Sequence, residues 1–220
     1  MPLSSVLGAS SVIKPGVCTS TTRPTVPYEG QLIYETDTDK VAAWNGSAWV
    51  YTHSSGLVYL TGVSFSSQTS VSFDNSVFTS SYTRYRITMQ AESTSGNSTV
   101  TMRVRDNSSA KTTTSYYGAI VGHAYDGNTG SLGTNAQNAF NLGTCGELQQ
   151  SIYSFDVYNP TSATLYTTWT GTAALRSNGT YFSVGAAFGG NYSVDEAHTG
   201  LQFLFSVAAT GTYRVYAYAE

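Results

Sequence analysis

The sequence predicts an all-β protein in which an N-terminal extended arm and a small hairpin module precede an antiparallel, jelly-roll-like β-sandwich. Three observations carry that expectation. The composition favours strands and turns: 17 Tyr, 9 Phe and 21 Gly stand against only 10% charged residues, and Ser plus Thr make up roughly a quarter of the chain, far above ordinary usage. Tyr, Phe and Thr suit a pleated surface, while Gly, Ser and Asn suit turns. No stretch shows the 3.6-residue apolar period of an amphipathic helix, whereas several alternate with period two. Turn signals recur at short, regular intervals, which delimits about nine or ten short strands.

Residues 1–27 read as an extended arm. Four of the five prolines lie here, Pro2, Pro15, Pro24 and Pro27, and proline both fixes φ and removes a ladder donor. Two readings stay open. One is a solvated tail; the other is an arm that docks on a neighbouring component and buries Val6, Leu7, Val12 and Ile13, since a solvated linker carries fewer aliphatics.

Residues 28–52 form the hairpin module. Gln31 to Thr36 alternates, with Leu32 and Tyr34 on one face and Ile33 on the other. Asp37-Thr-Asp39 is a turn, Val41 to Trp44 a second strand, and Asn45-Gly46 a hairpin signal because both residues tolerate positive φ. Ala48 to Tyr51 returns. So small a unit does not bury Tyr34, Trp44, Trp49 and Tyr51 alone. Tyr34, Trp44 and Trp49 are therefore read as contacts to another copy of the chain or to a larger assembly.

His53-Ser-Ser-Gly56 reads as a hinge, and residues 57–220 as the sandwich. Leu57 to Phe65 and Val71 to Phe73 are strands separated by a turn at Ser66–Gln68. Tyr82 to Ala91 alternates, with Tyr85, Ile87 and Met89 on one face. Ser95-Gly96-Asn97 then closes a hairpin onto Thr99 to Arg105. Lys111 to Val121 is a strand, and Gly122 to Glu147, rich in Gly and Asn, is a long loop of the kind that tends to be functional. Leu148 to Tyr158 and Thr164 to Ser177 follow, then an Asn178-Gly179 turn and a strand from Tyr181 to Phe188 that Gly189-Gly190-Asn191 ends. Leu201 to Val207 and Thr212 to Tyr218 read as a closing hairpin about Gly211.

Several functions are disfavoured. The ten Lys and Arg are scattered and the formal charge is −3, so no clustered basic patch fits nucleic acid. No apolar run approaches the ~20 residues of a membrane span, which argues against membrane insertion, and Met1–Gly8 lacks the basic region of a secretory signal. Cys18 and Cys145, distant in sequence and without such a signal, fit free thiols better than a disulfide. No Cys/His spacing indicates a metal, the acids at Asp37 and Asp39 lack the other ligands of a calcium loop, and no cofactor is indicated. No catalytic set is found: Gly-x-Ser-x-Gly is absent, and Asp195-Glu196-Ala-His198, the one local cluster of acid and imidazole, reads as solvated loop. A binding surface fits better. Tyr116, Tyr117, His123, Tyr125, Asp126 and Asn128 cluster at the start of the long loop, and aromatic faces beside amides and a carboxylate suit sugars. The alternative places some of these tyrosines in the core or in a subunit seam.

Two stretches resemble a known group of proteins. Arg23-Pro24, Gly30-Gln31-Leu32-Ile33-Tyr34-Glu35-Thr36-Asp37 and Trp44-Asn45-Gly46-Ser47-Ala48-Trp49-Val50 resemble a hairpin module of fibre and appendage proteins of tailed bacteriophages. Phe73-Asp74-Asn75 through Ile87, with Thr199-Gly200-Leu201 through Tyr216, resemble the opening and closing of a β-sandwich recurring in phage virion proteins. Ala217 stands where those proteins often carry glycine. The resemblance covers about two thirds of the chain. It implies a virion location after assembly in a host cytoplasm, and a homotrimer serving as a capsid or tail fibre, spike or decoration protein. The implied partners are other virion proteins of the capsid, neck or tail, and in some members a host-surface glycan.

Overall fold

A computed structural model describes residues 15–52, 56–74, 77–107, 109–124, 129–147, 149–176 and 183–219. Among them the chain is all-β, with no helix. Val6, Leu7, Val12 and Ile13, the hinge residues 53–55, and the Asn178-Gly179 turn lie outside the described residues. The chain divides into two compact units, one ending at Gly56 and the other beginning at Leu57.

The first unit is a four-stranded sheet in the order β1 (Gly16–Cys18), β2 (Leu32–Glu35), β3 (Lys40–Trp44), β4 (Trp49–Tyr51). Here the structure corrects the reading of residues 1–27 as one arm. β1 pairs in parallel with β2, Val17 opposite Tyr34, and the segment behind it is tied down by Ser20, whose backbone N–H donates to Asp37 Oδ1 at 2.8 Å. At the β3–β4 turn the Asn45 side chain accepts from the N–H groups of Ser47 and Ala48 at 3.0 and 2.8 Å, and Gly46 takes φ +92°. The turn chemistry is the one the sequence indicates.

The second unit is one large curled antiparallel sheet. Its strands are β5 (Leu57–Phe73), β6 (Arg84–Ser93), β7 (Ser98–Asp106), β8 (Ser109–Ala110), β9 (Tyr116–Ala124), β10 (Thr129–Gln137), β11 (Phe140–Cys145), β12 (Ser151–Tyr158), β13 (Thr167–Arg176), β14 (Ser183–Tyr192) and β15 (Gly200–Tyr218). The path runs β10-β9-β14-β13-β12-β6-β15-β7-β11, with β5 on β15 and β8 on β7. Period-two alternation sends one side of each strand inward: Tyr85, Ile87 and Met89 of β6, Val100, Met102 and Val104 of β7, Tyr153, Phe155 and Val157 of β12, and Trp169, Ala173 and Leu175 of β13 are buried. The sheet closes on itself, so that Gly143 of β11 faces Leu175 of β13 and Ile120 of β9. The sandwich core between the layers is dominated by aromatic rings, among them Phe140 against Trp169 at 5.1 Å and Phe155 against Phe188 at 5.7 Å.

Five expectations are corrected. The closing hairpin is a single 19-residue strand, β15, whose first half pairs with β7 and whose second half pairs with β6. Gly211 is not a turn: a Cβ there would lie 2.1 Å from Gln90 O, so glycine permits close approach of β6. Consequently β6 and β7 do not pair with each other; they follow one another along β15, β6 against Ala209–Ala217 and β7 against Gly200–Phe205, with Ser95–Asn97 carrying the chain onward between them. The turn at Ser66–Gln68 is an irregularity inside β5, with Ser67 at φ +51°. The long loop 122–147 contains β10 and β11, and β14 runs through Gly189 and Gly190 instead of ending there. Those glycines keep the backbone slim: a Cβ on Gly190 would lie 2.3 Å from Tyr117 O.

Candidate functional site

In the first unit, alternation divides the small sheet into two unlike faces. One face holds Ile33 and Ala42, the unit's only buried hydrophobic side chains among the described residues, together with Glu35. Glu35 has no exposed surface, yet its carboxylate is fully used. Arg23 donates to Oε1, and Thr38 and Tyr51 hydroxyls donate to Oε2 at 3.0 Å each. The Arg23 hydrogen bond holds its carboxyl below the usual carboxylate range. This ion pair joins the segment before the hairpin to β2 and β4, and it explains why the chain places an acid at an inward position.

Trp44 and Trp49 sit opposite each other on that same face, with ring centroids 5.6 Å apart in an edge-on arrangement. Both remain half-buried. The other face is apolar and open. Val17, Tyr34 and Val41 form one row across β1, β2 and β3, and Leu32, Ala43 and Val50 form the next across β2, β3 and β4. Val17 is 71% exposed, Val50 43% and Leu32 39%. The Tyr34 hydroxyl donates to Asp39 Oδ1 at 2.6 Å, which commits that acid to the turn. Asp37 is likewise held by Ser20, so neither acid is left open toward a cation.

In the sandwich, the described residues of the anticipated sugar site, Tyr116, Tyr117 and His123, divide between two faces of β9. Tyr116 is buried in the core, and this corrects its assignment to a ligand surface. Its hydroxyl donates to Lys111 O at 2.9 Å and accepts from Val104 N–H at 3.0 Å, and its ring packs 4.9 Å from that of Tyr192. Strand alternation is the reason: of two adjacent tyrosines, one must face in. Tyr117 and His123 are exposed on the opposite side of β9. Tyr125, Asp126 and Asn128 lie outside the described residues.

A second polar–aromatic cluster, not anticipated, lies on the solvent side of the large sheet where β12, β6 and β15 run side by side. Asp156 is only 4% exposed. Arg84 and Arg86 each donate to its carboxylate twice, and the Tyr218 hydroxyl lies 3.1 Å from both of its oxygens. Burial pushes this carboxyl up, but the hydrogen bonds from Arg86 and Arg84 outweigh it and hold the acid below its ordinary range. The Arg84 guanidinium lies 4.0 Å from the ring centre of Tyr218 and 5.0 Å from that of Tyr158. Tyr216 adjoins on β15, edge-on to Tyr59 of β5 at 5.7 Å. A carboxylate with this many donors is ionised and saturated, which suits holding two guanidiniums and does not suit proton transfer. The sequence did carry a signal for it. Arg84 and Arg86 alternate outward in β6, and Asp156 is the one acid in β12; their register is what could not be read.

His198 corrects the reading of residues 195–198 as solvated. It is fully buried, with Nδ1 2.8 Å from Thr167 Oγ1. Nε2 has no hydrogen-bond partner among the described residues and stands 3.6 Å from Glu196 Oε1. Burial lowers its pKa to about 4, so the ring is neutral near pH 7. Hydroxyl, imidazole and carboxylate are thus in line, but Thr167 and His198 are both sealed from solvent, and no substrate reaches them. Both cysteines are free, Cys145 in the core with its thiol pushed up to about 11 by burial. No group of acids, histidines and cysteines among the described residues is arranged to hold a metal ion. A scan against models of known protein families and a search of curated proteins both find no match for this chain.

Proposed function

We propose that this chain is a structural component of a tailed-phage virion, a capsid or tail fibre, spike or decoration protein. It self-associates, as a homotrimer, through its first unit and carries the β-sandwich as a head domain. The observation that carries the reading is the open apolar face of the small sheet. Six side chains of Val, Leu, Ala and Tyr in two rows, with Val17 71% exposed, mark an association surface on a unit too small to be stable through its own core. The phage-like residues of 23–50 supply the virion context. Val50→Lys places a charge on that face without disturbing the buried side and should lower the oligomer order in sedimentation velocity; Trp49→Ala should do so by loosening the Trp pair. A well-folded monomer of the unaltered protein at micromolar concentration would sink the reading. The reading is non-enzymatic, in keeping with a saturated Asp156 and a sealed His198.

A second reading, a host-receptor or carbohydrate-binding module at a fibre tip, is favoured by Tyr59, Tyr158, Tyr216 and Tyr218 gathered on one solvent-facing side. Absence of any hit on a glycan array would reject it.

A further inference from the structure

Charge is spread unevenly over the solvent side of the large sheet. Where β9, β14 and β13 run together it presents Ala119, Gly189 and Thr170 in one row and Val121, Ala187 and Thr172 in the next, with no charge. Where β6 and β15 run together it presents Arg84, Arg86 and Arg214, with Glu92 at the far end of the pairing opposite Thr210, in a chain with ten basic residues and a net charge of −3. Arg84 and Arg86 are engaged by Asp156. Arg214 is exposed and has no ion pair among the described residues.

Arg214 also stands where two depressions meet. One, of about 190 Å³, is edged by Thr88, Gln90, Ile152 and Thr212; the other, of about 210 Å³, by Tyr59, Gly62, Ser64 and Thr212. Both include Arg214 and Thr212, which stand between them on β15. Gly62 lets Tyr59 and Arg214 come together over β5: a Cβ there would lie 2.8 Å from Tyr213 O, 3.0 Å from Arg214 Cγ and 3.1 Å from the Tyr59 hydroxyl. The groove therefore offers one uncompensated guanidinium, a run of hydroxyls and an amide, and two apolar platforms, Tyr59 at 57% and Ile152 at 52% exposure.

A guanidinium fork matches an oxyanion through two parallel hydrogen bonds. Hydroxyls and an amide match sugar hydroxyls, and a tyrosine face matches the apolar face of a pyranose. A bare phosphate would leave the platforms unused, and an apolar peptide would leave the hydroxyls unsatisfied. We propose that this groove binds an oxyanion-bearing saccharide chain, its acidic group on Arg214 and its sugar faces on Tyr59 and Ile152. The proposal rests on the carbohydrate-binding reading and adds the charge of the ligand and its place on the sheet.

The test is calorimetric titration of the intact chain with trigalacturonate, dextran sulfate and neutral maltotriose, at low and high salt. Expected are binding of an acidic probe but not of maltotriose, weakening by salt, and an affinity at least tenfold lower in Arg214→Gln and in Tyr59→Ala. Arg214→Lys, which keeps the charge but not the fork, should lose about threefold. Arg103→Gln, which removes a positive charge from β7, should bind as the unaltered chain does. Trigalacturonate alone would identify a carboxylate, dextran sulfate alone a sulfate; either supports the site. Binding undiminished in Arg214→Gln, equal losses in Arg103→Gln, or no acidic probe bound would overturn it. Binding of maltotriose alone would overturn it while leaving the broader carbohydrate reading standing. Melting curves of the variants verify that they fold.

Discussion

At the scale of single residues, the buried polar groups show what this fold tolerates. Glu35 and Asp156 are buried acids surrounded by donors, and both stay ionised because guanidiniums face them. His198 is the opposite case. It is buried beside Glu196, which favours its charged form, and near Lys111, which opposes it; Lys111 Nζ is itself 3.0 Å from Glu196 and 3.6 Å from Asp106. Burial dominates, and the folded-state pKa falls to about 4 from 6.5. A depressed folded pKa contributes stability that is fully present above the unfolded value. It is lost as pH falls from 6.5 through 4, because only the unfolded chain takes up the proton in that window. The loss is about 3 kcal/mol. His198→Asn, which can keep the bond to Thr167, should flatten this part of the stability profile in denaturant titrations at pH 7, 5.5 and 4. Parallel losses in the variant and the unaltered protein would assign the effect to other groups.

At the scale of elements, β15 decides the architecture. Nineteen residues of strand pair with β5 along most of their length and pass from β7 to β6 partway, so two layers share one strand. Glycines at 200 and 211 make this possible, because a Cβ at either would lie within about 2 Å of Phe73 O or Gln90 O respectively (1.8 and 2.1 Å). Gly211→Ala should therefore cost about 1–3 kcal/mol through forced displacement of β6. Gly130→Ala and Gly133→Ala, where a Cβ meets nothing within 4 Å, should be neutral or stabilising by up to ~1 kcal/mol. Urea midpoints of the three variants compare these directly, and equal losses at all three positions would remove the close-approach explanation.

Element by element, alternation was legible, and pairing was legible only across short connections, as in β3–β4 and β13–β14. Tyr85, Ile87 and Met89 of β6 and Val100, Met102 and Val104 of β7 face inward as their period indicates. The hairpin expected between those strands does not form, because the chain runs on from β6 into β7 along one strand more than a hundred residues later instead of reversing. Gly189 and Gly190 read as strand breakers because glycine often ends strands; here they lie inside β14, and at Gly190 Tyr117 O approaches too closely for any side chain. The expected ligand cluster loses Tyr116 for a related reason: adjacency in sequence splits Tyr116 and Tyr117 between two faces.

At the scale of the whole molecule, two units with separate cores imply separate responses. The large unit buries an extended aromatic cluster, while the small one relies on Ile33, Ala42 and the Arg23–Glu35 pair. Glu35→Gln should lower the transition of the small unit, followed by Trp44 and Trp49 fluorescence in a Trp169→Phe background. It should leave the far-ultraviolet melt of the sandwich unchanged, since sites without shared partners behave additively. A matching downward shift of both transitions would show that the units are coupled.

Legible from the residues alone were the all-β class, the faces of the alternating strands, the Asn45-Gly46 turn chemistry and the aromatic richness that a small hairpin unit cannot bury. These follow from local rules: side-chain period, turn preference and composition act within a few residues of each other. Packing in three dimensions is what makes β15 one strand shared by two layers, turns Tyr116 inward, gathers Arg84 and Arg86 on Asp156, and leaves Arg214 without an acid among the described residues. Those outcomes depend on register between strands up to about 140 residues apart, as for Tyr213 beside Ser72. Register is set by the packing of the whole core and by close backbone approaches at particular glycines, neither of which leaves a mark in any short window of the chain.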